Sequence, residues 1–371
     1  MGTKEDNVLT ESQLMCILIG SMTGIGVLSL PGDVIKISKQ DGWISVFLGA
    51  VYPIYMVFIA NYIRKKYPKA DILDINKKIY GRFFGSIFNL IFLLSFLLAA
   101  TEVAAGINNV LRIYMVPFLN RWNILTVLFL ITAYAAYGGI KTIGRINEVL
   151  FYGTFIVYII PLFAISKGNI LNLKPIFGSG ALNIIKGLKE TVVAYAGIEV
   201  LFIIYPFAGM DINIKKCGLK SIAFTSTIYT LFTIVTILYL GIDATSIFLW
   251  PLVTVTESIM IPVINSFRYI FSSLWVMNMF RVISINYYTF SYGLNKFIKK
   301  FDRKAWVIIL FPIMIILSTL YGSPTTRRDF LNMIFLPHVI YNVMLVTITA
   351  ILVAFRKGDD YAKKDENSNN D

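Results

Sequence analysis

The sequence predicts an all-α integral membrane protein: about ten transmembrane helices in a bundle of two inverted five-helix repeats. Three observations predict it. Of the 371 residues 57% are apolar and only 15% charged, against roughly half and a quarter in an average soluble domain, and the mean hydropathy is +0.70. The excess is gathered into blocks of about 20 residues, the length that crosses a bilayer. A short motif also recurs at matching points of the two halves. Gly24-Ile25-Gly26-Val27-Leu28 is followed by Pro31, and Gly197-Ile198-Glu199-Val200-Leu201 by Pro206.

Charged or Gly/Pro-rich breaks bound the blocks. The first two spans fall at 12–37 and 42–63, split by Lys39-Gln40-Asp41 and ended by Arg64-Lys65-Lys66. The third, 83–112, runs from Arg82 to Arg112; the fourth, 122–138, ends at a Gly-Gly pair; the fifth is 144–166. The second half repeats this with 182–207, 218–241, 262–295, 305–321 and 332–355. Residues 1–11 read as a cytoplasmic segment, 12–166 as the first repeat and 167–355 as the second with its entry loop. Residues 356–371 are polar and read as a disordered cytoplasmic tail. A unit with an odd number of spans, repeated in tandem, is inverted relative to its copy.

Orientation follows from the 34 Lys and Arg. With the N-terminus inside, 22 fall in inside segments and 10 in outside ones, with Arg268 and Arg281 left within the eighth span. This bias predicts both termini in the cytoplasm. It also accounts for the net charge of +13 as lipid-facing loops rather than a nucleic-acid surface. Cys16 and Cys217 suggest neither a disulfide nor a metal site, a lone His338 cannot build a histidine cluster, and no cleaved signal peptide is expected. No catalytic or metal residue and no cofactor is expected. A membrane-embedded enzyme fits poorly, without a Cys/His cluster, nucleophile elbow or phosphate loop.

The recurring motif points to a site. A glycine pair in mid-membrane invites unwinding, which lipid tolerates only where the freed backbone faces protein or a wet cavity. Paired interrupted helices are the sequence mark of a transporter-like binding site. The N–H groups of a half-helix would meet a carboxylate. The competing reading is that Gly24 and Gly26 only let helices pack closely.

Several strings resemble one family. TESQL (10–14), GIGVLSLPG (24–32), DGWIS (41–45), IYGRFFG (79–85), GGIKTIGRINEVLF (138–151), AGIEVLF (196–202) and RYIFSSLWV (268–276) are similar, in order and over nearly the whole chain, to spore germination permeases. These are the B subunits of nutrient germinant receptors. The resemblance implies the amino acid–polyamine–organocation superfamily and its five-plus-five, LeuT-like fold with broken first and sixth helices. It implies a small-molecule germinant, typically an amino acid, and two partners, a membrane A subunit and a lipoprotein C subunit, in the spore inner membrane. One departure stands out: an acidic residue commonly follows the arginine that enters span eight by two positions, and here Arg268 is followed by Tyr269 and Ile270.

The resemblance also places the pocket between spans one, three, six and eight. Carried onto this chain, span one contributes Thr23, Gly24, Ile25 and Gly26, and span six Ala196, Gly197, Ile198 and Glu199. Phe96, Ala99, Ala100 and Val103 share a face of span three, where the alanines leave room for a ligand side chain. Ile283 and Tyr287 are the span-eight candidates. For each, ordinary packing is the alternative. An acid in mid-span needs a partner: Glu199 can be protonated, can meet a ligand amine, or can cap freed N–H groups. Glu102 lies at similar depth, Arg281 needs a partner the sequence does not name, and Ser272 and Ser273 are weak candidates for a coupling ion. A receptor subunit is the leading expectation and an amino-acid transporter the second.

Overall fold

The computed structural model describes residues 8–257 and 267–356. The start of the expected eighth span, most of the N-terminal segment and all but the first residue of the expected tail lie outside the described residues. The described chain is nearly all helix. Five stretches are long and apolar enough to cross a membrane unbroken, and two sharply bent pairs raise that to seven. Grouped by their breaks, the described helices make ten spans.

Span one is broken. α1 (Glu11–Met22) starts on a capping box, in which Thr10 and Gln13 exchange side-chain to backbone hydrogen bonds of 3.2 and 3.3 Å. It stops at Thr23, and α2 (Gly26–Ser38) resumes after Ile25 with Pro31 inside it. Span two is α3 (Gly42–Gly49) with α4 (Val51–Lys66). α5 (Ile72–Tyr114) is capped by Asp71 and kinked at Gly81, and α6 (Arg121–Gly138) is capped by Asn120. Span five is α7 (Ile140–Gly153), bent by 58° into a run of 3₁₀ turns that ends at Lys167.

Span six repeats the break. α8 (Ala181–Ala194) ends before a tight turn, and the chain resumes through α9 (Leu201–Ile204) at a bend of 51°. α10 (Ile214–Ile247) is kinked at Gly241, and the short α11 (Pro251–Glu257) follows. α12 (Phe267–Phe297), α13 (Arg303–Leu320) and α14 (Pro324–Ala354) complete the bundle, the last two capped by Asp302 and Ser323.

Spans of the first half pack on their counterparts five spans on: α2 on α8, α4 on α10, α5 on α12 and α6 on α13. This is the packing expected of two copies related by a two-fold axis. Small residues make it close, as in lipid, where helices associate by packing rather than by expelling water. A Cβ on Gly218 of α10 would come within 2.6 Å of Val57 on α4. Hydroxyls of α2 and α3 fasten α8. Ser38 and Ser45 donate to the Asn183 and Ile184 carbonyls of α8 at 2.9 and 2.8 Å.

Candidate functional site

The two breaks meet. Gly197 sits at φ 116°, in the left-handed region. A Cβ there would lie 2.7 Å from the Ser21 carbonyl carbon of α1. Glycine is therefore required twice, for its dihedral and for the approach of the two backbones. Carbonyls freed by unwinding find hydroxyls: Tyr229 donates to Met22 O at 2.7 Å. Freed amides find a carboxylate. Glu199, 4% exposed, accepts the Gly197 N–H on Oε2 at 2.7 Å and the Tyr52 hydroxyl on Oε1. No side chain caps α2, whose first turn begins at Gly26. Its leading N–H groups are the kind that receive an anion.

A cavity of about 260 Å³ opens at this junction. Gly24, Ile25 and Gly26 line it from span one, Phe96, Ala99 and Val103 from span three, and Ala196, Gly197 and Glu199 from span six. Thr23, Ala100 and Ile198 are buried beside it without lining it, and Thr23 turns its hydroxyl back to Ile19 O at 2.9 Å. Ile283 and Tyr287 lie on another face of α12. Tyr287 donates to Val307 O on α13 at 2.7 Å and packs edge-on to Phe129. The span-eight residues at the cavity are Val282 and Asn286, one position earlier and so about 100° around the helix.

The tenth span was expected at 332–355, but no residue of it was expected at the site. Phe335, His338, Val339 and Asn342 of α14 line the cavity. The signal was there, as a histidine and an asparagine four apart in an apolar run. Where α14 begins, Arg327 Nη1 pairs with Glu102 Oε2 at 2.7 Å, and Arg328 pairs with Asp33 of α2; all four residues line the cavity.

Two open questions from the sequence have answers. Arg281, fully buried, reaches Cys16 O at 2.6 Å and Asn278 Oδ1 at 2.9 Å, with its guanidinium 5.3 Å from the Phe151 ring. Arg268 pairs with Glu257 at the end of α11, and with the Tyr114 ring at 5.1 Å. Ser272 is buried and Ser273 exposed, and neither lines the cavity.

Ten spans, two facing breaks and a cavity between them define a membrane protein of the LeuT-like fold. Solved structures share it: MhsT in complex with L-phenylalanine at a TM-score of 0.66 and 14% identity, covering 92% of this chain and 87% of that one. Mhp1, a nucleobase-cation-symport-1 family transporter in a closed conformation with bromovinylhydantoin bound, matches at 0.66 and 11%, covering 92% and 77%. Within that fold the chain belongs to the spore germination protein family, whose model matches residues 8–327. It is 27% identical to spore germination protein YndE of Bacillus subtilis (strain 168), over 86% of this chain and 88% of that protein. With spore germination protein GerQB of Bacillus cereus the identity is 24%, over 85% and 87%.

Proposed function

We propose that this chain is the germinant-binding membrane subunit of a spore nutrient receptor. A small germinant, an amino acid, occupies the cavity between the broken helices. Its carboxylate meets the backbone of Gly24, Ile25 and Gly26, and its side chain lies toward Phe96 and Ala99. Occupancy shifts a two-state bundle, and the change passes to a membrane A subunit and a lipoprotein C subunit. On this reading the protein sits in the spore inner membrane with both termini cytoplasmic. Residues 12–166 and 167–355 are the two repeats that move against each other.

The observation that carries the proposal is the cavity at the contact of the two breaks, with the uncapped start of α2 at its wall. Membership of the germination family supports a sensing role over transport alone. The transporter reading draws on the solved neighbours of the fold, and fold does not decide function.

Gly26 gives the test. It is exposed to the cavity, and a Cβ there meets nothing within 4 Å. Gly26→Leu should therefore fill ligand space without disturbing the fold. In a deletion strain, wild type should restore germination to one nutrient in an L-amino-acid panel. Gly26→Leu, present at the same level in spore membranes, should not. A normal response in the variant removes the span-one site. Unchanged germination of the deletion strain to every nutrient removes the receptor role, and solute uptake into proteoliposomes then tests transport.

A further inference from the structure

One wall of the cavity is polar, and the broken helices do not account for it. Asn342 of α14, 1% exposed, lines this wall, and its Oδ1 has no hydrogen-bond partner within the described protein. One turn earlier His338 also lines it, with Nε2 buried and unpartnered. A neutral imidazole carries one N–H and one lone pair, so His338 can donate or accept there. Asn286 of α12 donates its amide to Val282 O at 2.8 Å, and Ser95 of α5 its hydroxyl to Phe92 O at 2.5 Å. Both line the cavity: Ser95 keeps acceptor capacity on its oxygen, and Asn286 keeps its carbonyl oxygen and a second amide hydrogen.

Four uncharged polar groups from spans three, eight and ten thus line the cavity, and none of them is a carboxylate. Buried acceptors without donors are costly and uncommon. The Asn342 oxygen is one, and its residue's place on the cavity wall points to a donor supplied by the occupant. The absence of an acid among the four matches a neutral donor rather than an ammonium.

We propose that this wall is a specificity subsite for a neutral hydrogen-bond donor, a hydroxyl or a carboxamide, at the side-chain end of the ligand, with Asn342 the residue that reads it. The inference rests on the amino-acid reading of the cavity, in which the α2 N-terminus holds the opposite end.

Near-isosteric pairs test it: L-threonine against L-valine, and L-asparagine against L-leucine, titrated calorimetrically into the full-length chain in nanodiscs. Wild type should bind at least one donor-bearing member about tenfold or more tighter than its apolar partner. Asn342→Leu, close in size, should bring that ratio to near one while still binding the apolar amino acid, which shows that fold and carboxylate site survive. If Asn342→Leu binds none of the four, His338→Phe decides by the same ratio.

Wild type that prefers L-valine and L-leucine, or variants that keep the wild-type ratio, overturns the subsite and leaves the amino-acid site standing. Wild type that binds none of the four, like Gly26→Leu, overturns both.

Discussion

Glu199 is held on both carboxylate oxygens, by the Gly197 amide and the Tyr52 hydroxyl, and this geometry makes it first a cap of the unwound segment. Glu199→Leu strands the Gly197 N–H and should cost about 1–3 kcal/mol, read as a lower melting temperature in detergent and less protein in the membrane. Glu199→Gln keeps an acceptor for that amide and should lose little stability. A shift in ligand concentration dependence for Gln at unchanged level would add a ligand contact to the cap. Gly197 was legible in the sequence because glycine there is a backbone requirement, and backbone requirements leave a one-letter trace; Gly24 and Gly26 carry no such requirement, since a Cβ on either meets nothing closer than 3.8 Å. Tyr287 was not. A one-residue error of register turns a helical side chain through about 100°, enough to exchange Asn286 for a tyrosine that faces α13. The partner of Arg281 was illegible for another reason: its shortest contact is the Cys16 carbonyl, and every residue carries one of those.

Helix ends lock the loop before α5 to the end of α12. Asp71 caps α5 by accepting from the Leu73 and Asp74 amides at 3.0 and 3.2 Å. It also takes Tyr292 Oη at 2.8 Å and Lys296 Nζ at 2.5 Å, in the last turn of α12. The carboxylate at a helix N-terminus and the ammonium at a C-terminus each suit the local dipole. Burial pushes the Asp71 carboxyl above its ordinary range, and the Lys296 ammonium opposes this. Lys296→Met should lower stability by about 1–2 kcal/mol near neutral pH, less than for a fully buried pair because Lys296 is partly exposed. The sign with pH is fixed. A carboxyl raised in the folded state is relieved by protonation, so the deficit of Lys296→Met should shrink as pH falls toward the ordinary carboxylate range. Melting curves of both proteins across that range check it. Most span limits were legible because charge and Gly/Pro punctuate apolar blocks. The cavity-lining role of span ten was not, since its His338 looks like an isolated residue until α5 and α12 bring Ser95 and Asn286 beside it.

Across the whole bundle, the pairing of each span with its counterpart five positions on leaves α14 outside the four principal pairs, packed on α4, α5 and α8. It joins the walls of the cavity through two ion pairs, Arg327 to Glu102 on α5 and Arg328 to Asp33 on α2. Asp33 also has Lys36 at 3.9 Å. A bundle that opens this end of the cavity must separate α14 from α2 and α5, and so must break both pairs. The pair at Glu102 is the more buried, and breaking it leaves a carboxylate in the bundle without its cation, so truncating Arg327 threatens the fold. Arg328 and Asp33 keep more exposure, so the second pair can be removed more gently. Arg328→Ala should then raise both association and dissociation rates for a cavity ligand while changing its equilibrium affinity by less than about tenfold, because it loosens one state and removes no group assigned to hold the ligand. The charge-swapped double variant, Asp33→Arg with Arg328→Asp, should restore slow exchange, whereas Asp33→Arg alone, facing Arg328, should hold the end open. Stopped-flow binding to the purified chain reads all three. Unchanged rates in Arg328→Ala would mean that the ligand enters elsewhere, and the ion pair would then be a fixed tie of α14 to the repeats rather than a barrier to entry.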